Sequence, residues 1–161
     1  MHQSRNLVAV SIVLLFMAQT AFSVELNQKS YINPLKGDIG AHDPVMIKQD
    51  SIYYLFCTGA YIPVKTSRDR ITWKLAGTVL TSTPPWFKTY VPENDGKDCW
   101  APDISFRSGK YWLYYAVSTF GKRVSAIGLT TNSTLDQASP DYKWSDEGMI
   151  INSTNSNNYN C

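Results

Sequence analysis

The chain has 161 residues and a formal net charge of +2, with 17% charged and 13% aromatic residues. A net charge this small, without a run of Lys or Arg, gives no electrostatic footprint for a nucleic-acid partner. Aromatic side chains are enriched in β-rich domains and on surfaces that stack against sugar rings, and core packing accounts for most of them here.

Residues 1–23 have the pattern of a secretory signal peptide. His2 and Arg5 precede an apolar run over residues 7–17, and small residues suited to cleavage follow at 21–23. The apolar run is too short to span a bilayer, and no later segment approaches the length that a membrane helix needs. We therefore predict a secreted, extracellular protein with no membrane partner and a mature segment over residues 24–161.

From Asp43 onward, short apolar runs alternate with turns, and no segment of any length keeps a helical period. Residues 84–98, rich in Pro, Asn, Asp and Gly, are predicted to form a long loop between two groups of strands. The predicted strands of the first group are 44–47, 52–57, 63–67 and 72–80. Those of the second group are 102–106, 111–117, 125–131 and 142–151.

The second group repeats the first. Pro44 precedes Tyr53-Tyr54-Leu55 by the same spacing with which Pro102 precedes Tyr111-Trp112-Leu113. Recurring units of four strands at intervals of about 40 to 50 residues are typical of β-propeller blades. The sequence therefore predicts an all-β protein with two blades. Since a closed propeller needs about four blades or more, we expect either self-assembly of this chain or a longer protein of which it is the N-terminal part.

Three cysteines, Cys57, Cys99 and Cys161, allow one disulfide and leave one thiol over in an exported chain. The sequence leaves open whether Cys57 pairs with Cys99. It contains no Cys and His cluster with the spacing of a zinc site, so we predict no metal ligands in this segment.

Asp43, in the segment Ala41-His42-Asp43-Pro44, is the first candidate for chemistry. One interpretation is an aspartate that bonds the backbone of a turn before a proline. The other is a general base, because a carboxylate at the inner end of a blade's first strand would face the central axis and could activate water against a bound sugar. His42 is interpreted as a hydrogen-bonding neighbour.

Two aromatic residues are further candidates. Trp100 is predicted to precede the first strand of the second blade, where it would either stack on a sugar or pack between blades. Phe120 and Gly121 end the second strand of that blade, in a loop at the site or in a plain hairpin turn.

Six segments, taken in order, resemble the N-terminal half of family 43 glycoside hydrolases and are most similar to the endo-1,5-α-L-arabinanases. They are Ala41-His42-Asp43-Pro44, Tyr53-Tyr54-Leu55-Phe56-x-Thr58-Gly59, Trp100-Ala101-Pro102-Asp103-Ile104, Tyr111-Trp112-Leu113-Tyr114-Tyr115, Val117-Ser118-Thr119-Phe120-Gly121 and Ser125-Ala126-Ile127-Gly128-Leu129. The resemblance implies a five-bladed β-propeller in the complete protein, of which this chain supplies about the first two blades.

The resemblance also implies hydrolysis of α-1,5-linked arabinan in one step with inversion. Asp43 would be the general base, with His42 beside it. Trp100, Phe120, Gly121 and Asn160 would contact the substrate. The complete protein would be a monomer that could bind calcium near its axis, whereas this segment needs no cofactor.

The family's general acid, a Glu of a later blade, and its third carboxylate would both follow residue 161. We therefore expect the chain as given to be an inactive fragment. Two alternatives stay open: an exo-acting α-L-arabinofuranosidase or β-xylosidase of the same family, and a non-catalytic carbohydrate-binding fragment.

Overall fold

The computed structural model describes residues 34–154, which contain ten β-strands and one short helix. The strands, in chain order, are β1 (Lys36–Gly37), β2 (Val45–Gln49), β3 (Ile52–Phe56), β4 (Gly59–Ala60), β5 (Pro63–Ser67), β6 (Thr72–Thr78), β7 (Asp98–Arg107), β8 (Lys110–Ser118), β9 (Ser125–Asn132) and β10 (Ser145–Ser153). The helix α1 (Trp86–Tyr90) lies between β6 and β7. The predicted all-β class is confirmed.

The strands form two five-stranded sheets, one for each predicted group. The spatial order is β1-β6-β5-β3-β2 in the first sheet and β10-β9-β8-β7-β4 in the second. Neighbours are antiparallel except β1, which runs parallel to β6. Both predicted groups of four strands are therefore confirmed. The strands β1 and β4 were not predicted, because two residues are too few to show a period of two.

The edge strand β2 of the first sheet lies beside β7 of the second and brings the two sheets together. A proline-containing corner of the same shape lies just before β2 and inside β7. Asp43 before Pro44 and Ala101 before Pro102 have φ angles of 44° and 43°. The repeat seen in the sequence is thus reproduced in the backbone at these two corners.

The core lies between the two sheets. Alternate residues of β3 and β8 face it, in agreement with the two-residue period of a strand. The largest fully buried side chains include Phe56 from the first sheet and Leu113 and Tyr115 from the second. Phe56 packs edge to face on Trp144, with ring centroids 6.1 Å apart, so the two sheets share one apolar cluster.

The predicted long loop over residues 84–98 contains the helix α1, which sequence periodicity did not reveal because it makes barely one turn. Pro85 precedes its first residue with a helical backbone, and Pro92 follows soon after its end. The helix buries Phe87 and sets Trp86 against Tyr115. Gly128 of β9 makes room for them, because a Cβ there would lie 2.5 Å from the Trp86 ring.

The turn between β5 and β6 is organised by the carboxylate of Asp69. Its Oδ1 accepts hydrogen bonds from the backbone N–H groups of Thr72 (2.7 Å) and Ile71 (2.8 Å) and from the Ser67 hydroxyl (2.9 Å). These bonds, the one from Thr72 first, lower the pKa of Asp69 to about 2. Trp73 closes the turn by donating its indole N–H to the Arg70 carbonyl.

Replacing Asp69 with Asn should make the full-length protein less stable at neutral pH and change the acid dependence of its stability. The carboxylate has a lower pKa in the folded state than the ordinary 3.8. Its contribution is therefore present above pH ~4 and is lost as the pH falls towards ~2. The stability difference between wild type and Asp69→Asn, measured by urea unfolding, should shrink over that interval. Asp141→Asn controls for the charge change, and a pH-independent difference would contradict the prediction.

The two cysteines in the described part of the chain, Cys57 and Cys99, are buried and free. The pairing that the sequence left open is therefore not formed. Burial raises the pKa of Cys99 to about 12 and also raises that of Cys57, so neither thiol supplies a reactive thiolate at neutral pH.

The predicted signal peptide, Asn160 and Cys161 lie outside the described residues.

Candidate active site

The candidate residues meet at one end of the two sheets because the chain crosses between them there. After β3 ends, β4 leaves the first sheet and pairs with β7, so that Gly59 lies opposite Cys99. This crossover places the end of β3 and the start of β2 next to the first residues of β7. Asp43 and Trp100, which are far apart in sequence, therefore lie on neighbouring segments.

Asp43 lies just before the edge strand β2, separated from it by Pro44, and its side chain is about half exposed, at 47%. Its Oδ2 lies 3.1 Å from Nδ1 of His42 and accepts a hydrogen bond of 2.9 Å from the Thr58 hydroxyl. A φ of 44° is uncommon for a residue other than glycine. Strained backbone of this kind persists only where the surroundings hold it, and it is frequent at active sites.

The segment that leads into Asp43 is held from two sides. Lys65, a buried lysine of β5, donates a hydrogen bond to the Gly40 carbonyl. The backbone N–H of Thr58 donates to the His42 carbonyl at 2.9 Å. This bond extends the hydrogen-bond ladder between β2 and β3 beyond the first residue of β2. The position of Asp43 therefore depends on contacts from β5 and from the residue that follows Cys57 after the end of β3.

Trp100 lies inside β7 and not before it, so that part of the prediction was wrong. The strand extends back to Asp98 because β4 supplies a pairing partner for Asp98 and Cys99. Pro102 has no N–H to donate, and the pairing of β7 with β8 is irregular between Trp100 and Asp103. Trp100 is partly buried, and by the repeat it corresponds to His42.

Phe120 and Gly121 form the turn between β8 and β9. Trp100 pairs with Ala116 near the end of β8, so this turn is at the same end of the second sheet as Trp100. Asn94 attaches the turn to the start of β7 by donating to the carbonyls of Ser118 (2.8 Å) and Asp98 (3.2 Å). The Phe120 side chain is 93% exposed, and Gly121 provides the positive φ of 76° that the turn requires.

The described part of the chain holds two glutamates, and both have other partners. Glu93 forms an ion pair with Lys122 at 3.2 Å, and Glu147 on the exposed edge strand β10 accepts a hydrogen bond from Thr131 at 2.7 Å. Within residues 34–154, no group of three or more His, Cys, Asp and Glu side chains could hold a metal ion.

Thr58 is the residue of this site that the sequence analysis did not recognise. It appeared only inside the segment that ends in Thr58-Gly59, without a role. Its hydroxyl contacts Asp43 and also accepts a hydrogen bond of 2.8 Å from the backbone N–H of Ala101 in the second sheet. The sequence signal that could have identified Thr58 is its position directly before β4, because the last residue before the chain crosses to the second sheet can contact both sheets.

Within residues 34–154, no helix combines the length and the apolar character that crossing a bilayer requires.

The sequence matches Glycosyl hydrolases family 43 over residues 31–160. It is 46% identical over 115 residues to an extracellular exo-α-(1→5)-L-arabinofuranosidase of Cellvibrio japonicus, covering 71% of this chain and 33% of that protein. It is 44% identical over 124 residues to an extracellular endo-α-(1→5)-L-arabinanase of Bacillus subtilis, covering 74% of this chain and 37% of the relative. The chain thus spans about a third of the length of these two relatives.

Solved structures of arabinanases are also similar to this chain. The α-L-arabinanase of Cellvibrio cellulosa matches with a TM-score of 0.70 and 46% identity over 72% of this chain and 36% of that one, and it has also been solved with arabinohexaose. The family 43 endo-arabinanase of Bacillus licheniformis matches with a TM-score of 0.72 and 39% identity over 79% of this chain and 43% of its own. These neighbours are five-bladed β-propellers, and this chain, with its two sheets, covers only part of such a propeller. The chain belongs to family 43 of the glycosyl hydrolases.

Proposed function

We propose that this chain is the N-terminal part of a secreted enzyme that hydrolyses α-1,5-L-arabinofuranosidic linkages in arabinan with inversion, and that Asp43 is its general base. The observation that carries the proposal is a half-exposed carboxylate just before an edge strand, in a chain that matches a glycosyl hydrolase family over residues 31–160 and has arabinan-degrading relatives. The similarity to a protein solved with arabinohexaose supports arabinan as the substrate.

In the proposed reaction, Asp43 accepts a proton from a water molecule as the water oxygen attacks the anomeric carbon of an arabinofuranosyl residue. The bond between that carbon and the glycosidic oxygen breaks, and a carboxylic acid protonates the leaving oxygen. We assign this acid to another blade of the propeller, because Glu93 and Glu147 are both engaged elsewhere. On this proposal the chain alone does not turn over arabinan.

Trp100 and Phe120 are proposed to contact the sugar chain. They lie at the end of the second sheet that adjoins Asp43, and an exposed aromatic ring offers the flat apolar face on which a sugar ring stacks. His42 is proposed to contact both Asp43 and the substrate, with Gly121 allowing close approach of the turn and Asn160 as a further substrate contact. We further propose that the complete protein acts as an extracellular monomer.

The test is an assay of the full-length protein on linear debranched arabinan, an aryl α-L-arabinofuranoside and an aryl β-xyloside. We expect short arabino-oligosaccharides from arabinan, with the first product in the inverted anomeric configuration by NMR. Release of arabinose alone would favour the exo-acting alternative, which the Cellvibrio japonicus relative represents. Turnover confined to the β-xyloside, or arabinan binding without hydrolysis, would overturn the proposal.

A further inference from the structure

The Thr58 side chain connects the two proline-containing corners, the one just before β2 and the one inside β7. Its hydroxyl oxygen lies 2.9 Å from Oδ2 of Asp43 and 2.8 Å from the backbone nitrogen of Ala101. Asp43 and Ala101 occupy equivalent positions in the repeat, each with a left-handed φ before a proline. One hydroxyl group therefore spans the junction between the first and the second sheet.

The chemistry of the partners fixes the direction of both hydrogen bonds. A backbone N–H can only donate, so the Ala101 N–H donates to the Thr58 oxygen. A hydroxyl has one hydrogen, and an ionised carboxylate can only accept. The Thr58 hydrogen is therefore directed at Oδ2 of Asp43. The hydrogen atoms of these two linked hydrogen bonds therefore have a single arrangement. The Ala101 N–H donates to the Thr58 hydroxyl, and the Thr58 hydroxyl donates to the Asp43 carboxylate.

The two oxygens of the Asp43 carboxylate differ in their contacts. Oδ2 is contacted by both the Thr58 hydroxyl and Nδ1 of His42. Among the described residues, Oδ1 receives no hydrogen bond. A carboxylate that is held through one oxygen can present the other to a reactant in a fixed direction, and a general base has to lie within hydrogen-bond reach of the proton that it removes.

We infer that Thr58 is a positioning residue for the reaction. Its hydroxyl accepts a hydrogen bond from the N–H of Ala101 and holds the Asp43 carboxylate through Oδ2. Oδ1 is then left to accept the proton of the attacking water. This inference rests on the proposed role of Asp43 as the base. Thr58 itself transfers no proton to or from the substrate. Its contribution is to hold the base in the orientation from which the proton transfer occurs.

The test compares Thr58→Val with Thr58→Ser in the full-length protein. Val keeps the shape of Thr without its hydroxyl, and Ser keeps the hydroxyl. Because misplacement of a catalytic group by about 1 Å can cost ~10²-fold in rate, we expect Thr58→Val to lower kcat on arabinan by about 10- to 100-fold, with KM changed less than about twofold. Thr58→Ser should stay within about threefold of wild type.

Thr130→Val is the matched control, since it also removes a hydroxyl that donates to an oxygen, the Ser145 carbonyl at 2.9 Å, in the buried part of β9. It should lower the melting temperature and leave kcat unchanged. A Thr58→Val variant with normal kcat would overturn the inference, as would equal losses in Thr58→Val and Thr58→Ser. If Thr58→Val does not fold, Thr58→Cys replaces it, and turnover equal to that of Thr58→Ser overturns the inference.

A crystallographic comparison separates failure of this inference from failure of the proposed function. In wild type, the Asp43 carboxylate should be held through Oδ2, and in the Thr58 variant that lacks the hydroxyl it should rotate away, whether or not the protein hydrolyses arabinan. An unchanged Asp43 orientation would overturn the inference. If the wild-type protein is inactive but Asp43 rotates in the Thr58 variant as expected, the proposed activity is overturned and the positioning role of Thr58 is retained.

Discussion

Replacing Asp43 with Asn in the full-length protein is expected to lower kcat on arabinan by about 10²- to 10⁴-fold, the range that a general base contributes. Asn has the same shape and can still accept the hydrogen bond from Thr58 through its amide oxygen. It cannot take a proton from water. The change should therefore remove the chemical step and leave KM within about twofold of wild type, measured by initial rates of reducing-sugar release.

Azide provides the control for this substitution. It attacks the anomeric carbon without giving up a proton, so it bypasses the base, and the product is a glycosyl azide of inverted configuration. We expect azide to restore part of the turnover of Asp43→Asn and to have little effect on wild type. Near-normal turnover of Asp43→Asn without azide would show that the base is another residue, and the assignment of Asp43 would be wrong.

The strands of the two predicted groups were predictable because each one carries its own signal in the sequence, unlike the two-residue strands β1 and β4. All residues of β3 and most residues of β8 are aliphatic or aromatic, which is typical of strands, and the turn at Ser108-Gly109 has the positive φ angles that a tight hairpin favours. The helix α1 was not predictable in the same way. A single helical turn shows no period in the sequence. The helix is held in place by the packing of Trp86 and Phe87 on Tyr115 of the second sheet.

The site was predictable only in part, for a related reason. Asp43 and His42 are adjacent in sequence and could be recognised together, whereas Thr58 joins the site through a hydrogen bond to Ala101, 43 residues away. That contact depends on the crossover at β4, a strand of two residues. The position of Trp100 was missed for the same cause, because the pairing with β4 extends β7 backward to Asp98.

Replacing Phe56 with Ala should give the largest loss of stability among single substitutions in the first sheet. Its side chain is 1% exposed and packs edge to face on Trp144 of the loop before β10, between the two sheets. Truncating a buried Phe to Ala typically costs about 3–5 kcal/mol, from lost apolar burial and from the cavity left behind. The change should be measured in the full-length protein as a shift in the urea midpoint at unchanged slope.

Phe106→Ala is the matched control, since Phe106 is 57% exposed and packs mainly on the Tyr111 ring, with centroids 4.7 Å apart. It should cost less than about 1.5 kcal/mol, the range of an aromatic pair. Equal losses for the two variants would contradict a shared core between the sheets. Because Phe56 lies two residues before Thr58, loosening of this core should also reach the Asp43 site. We therefore expect Phe56→Ala to lower kcat as well, whereas Phe106→Ala should leave it unchanged.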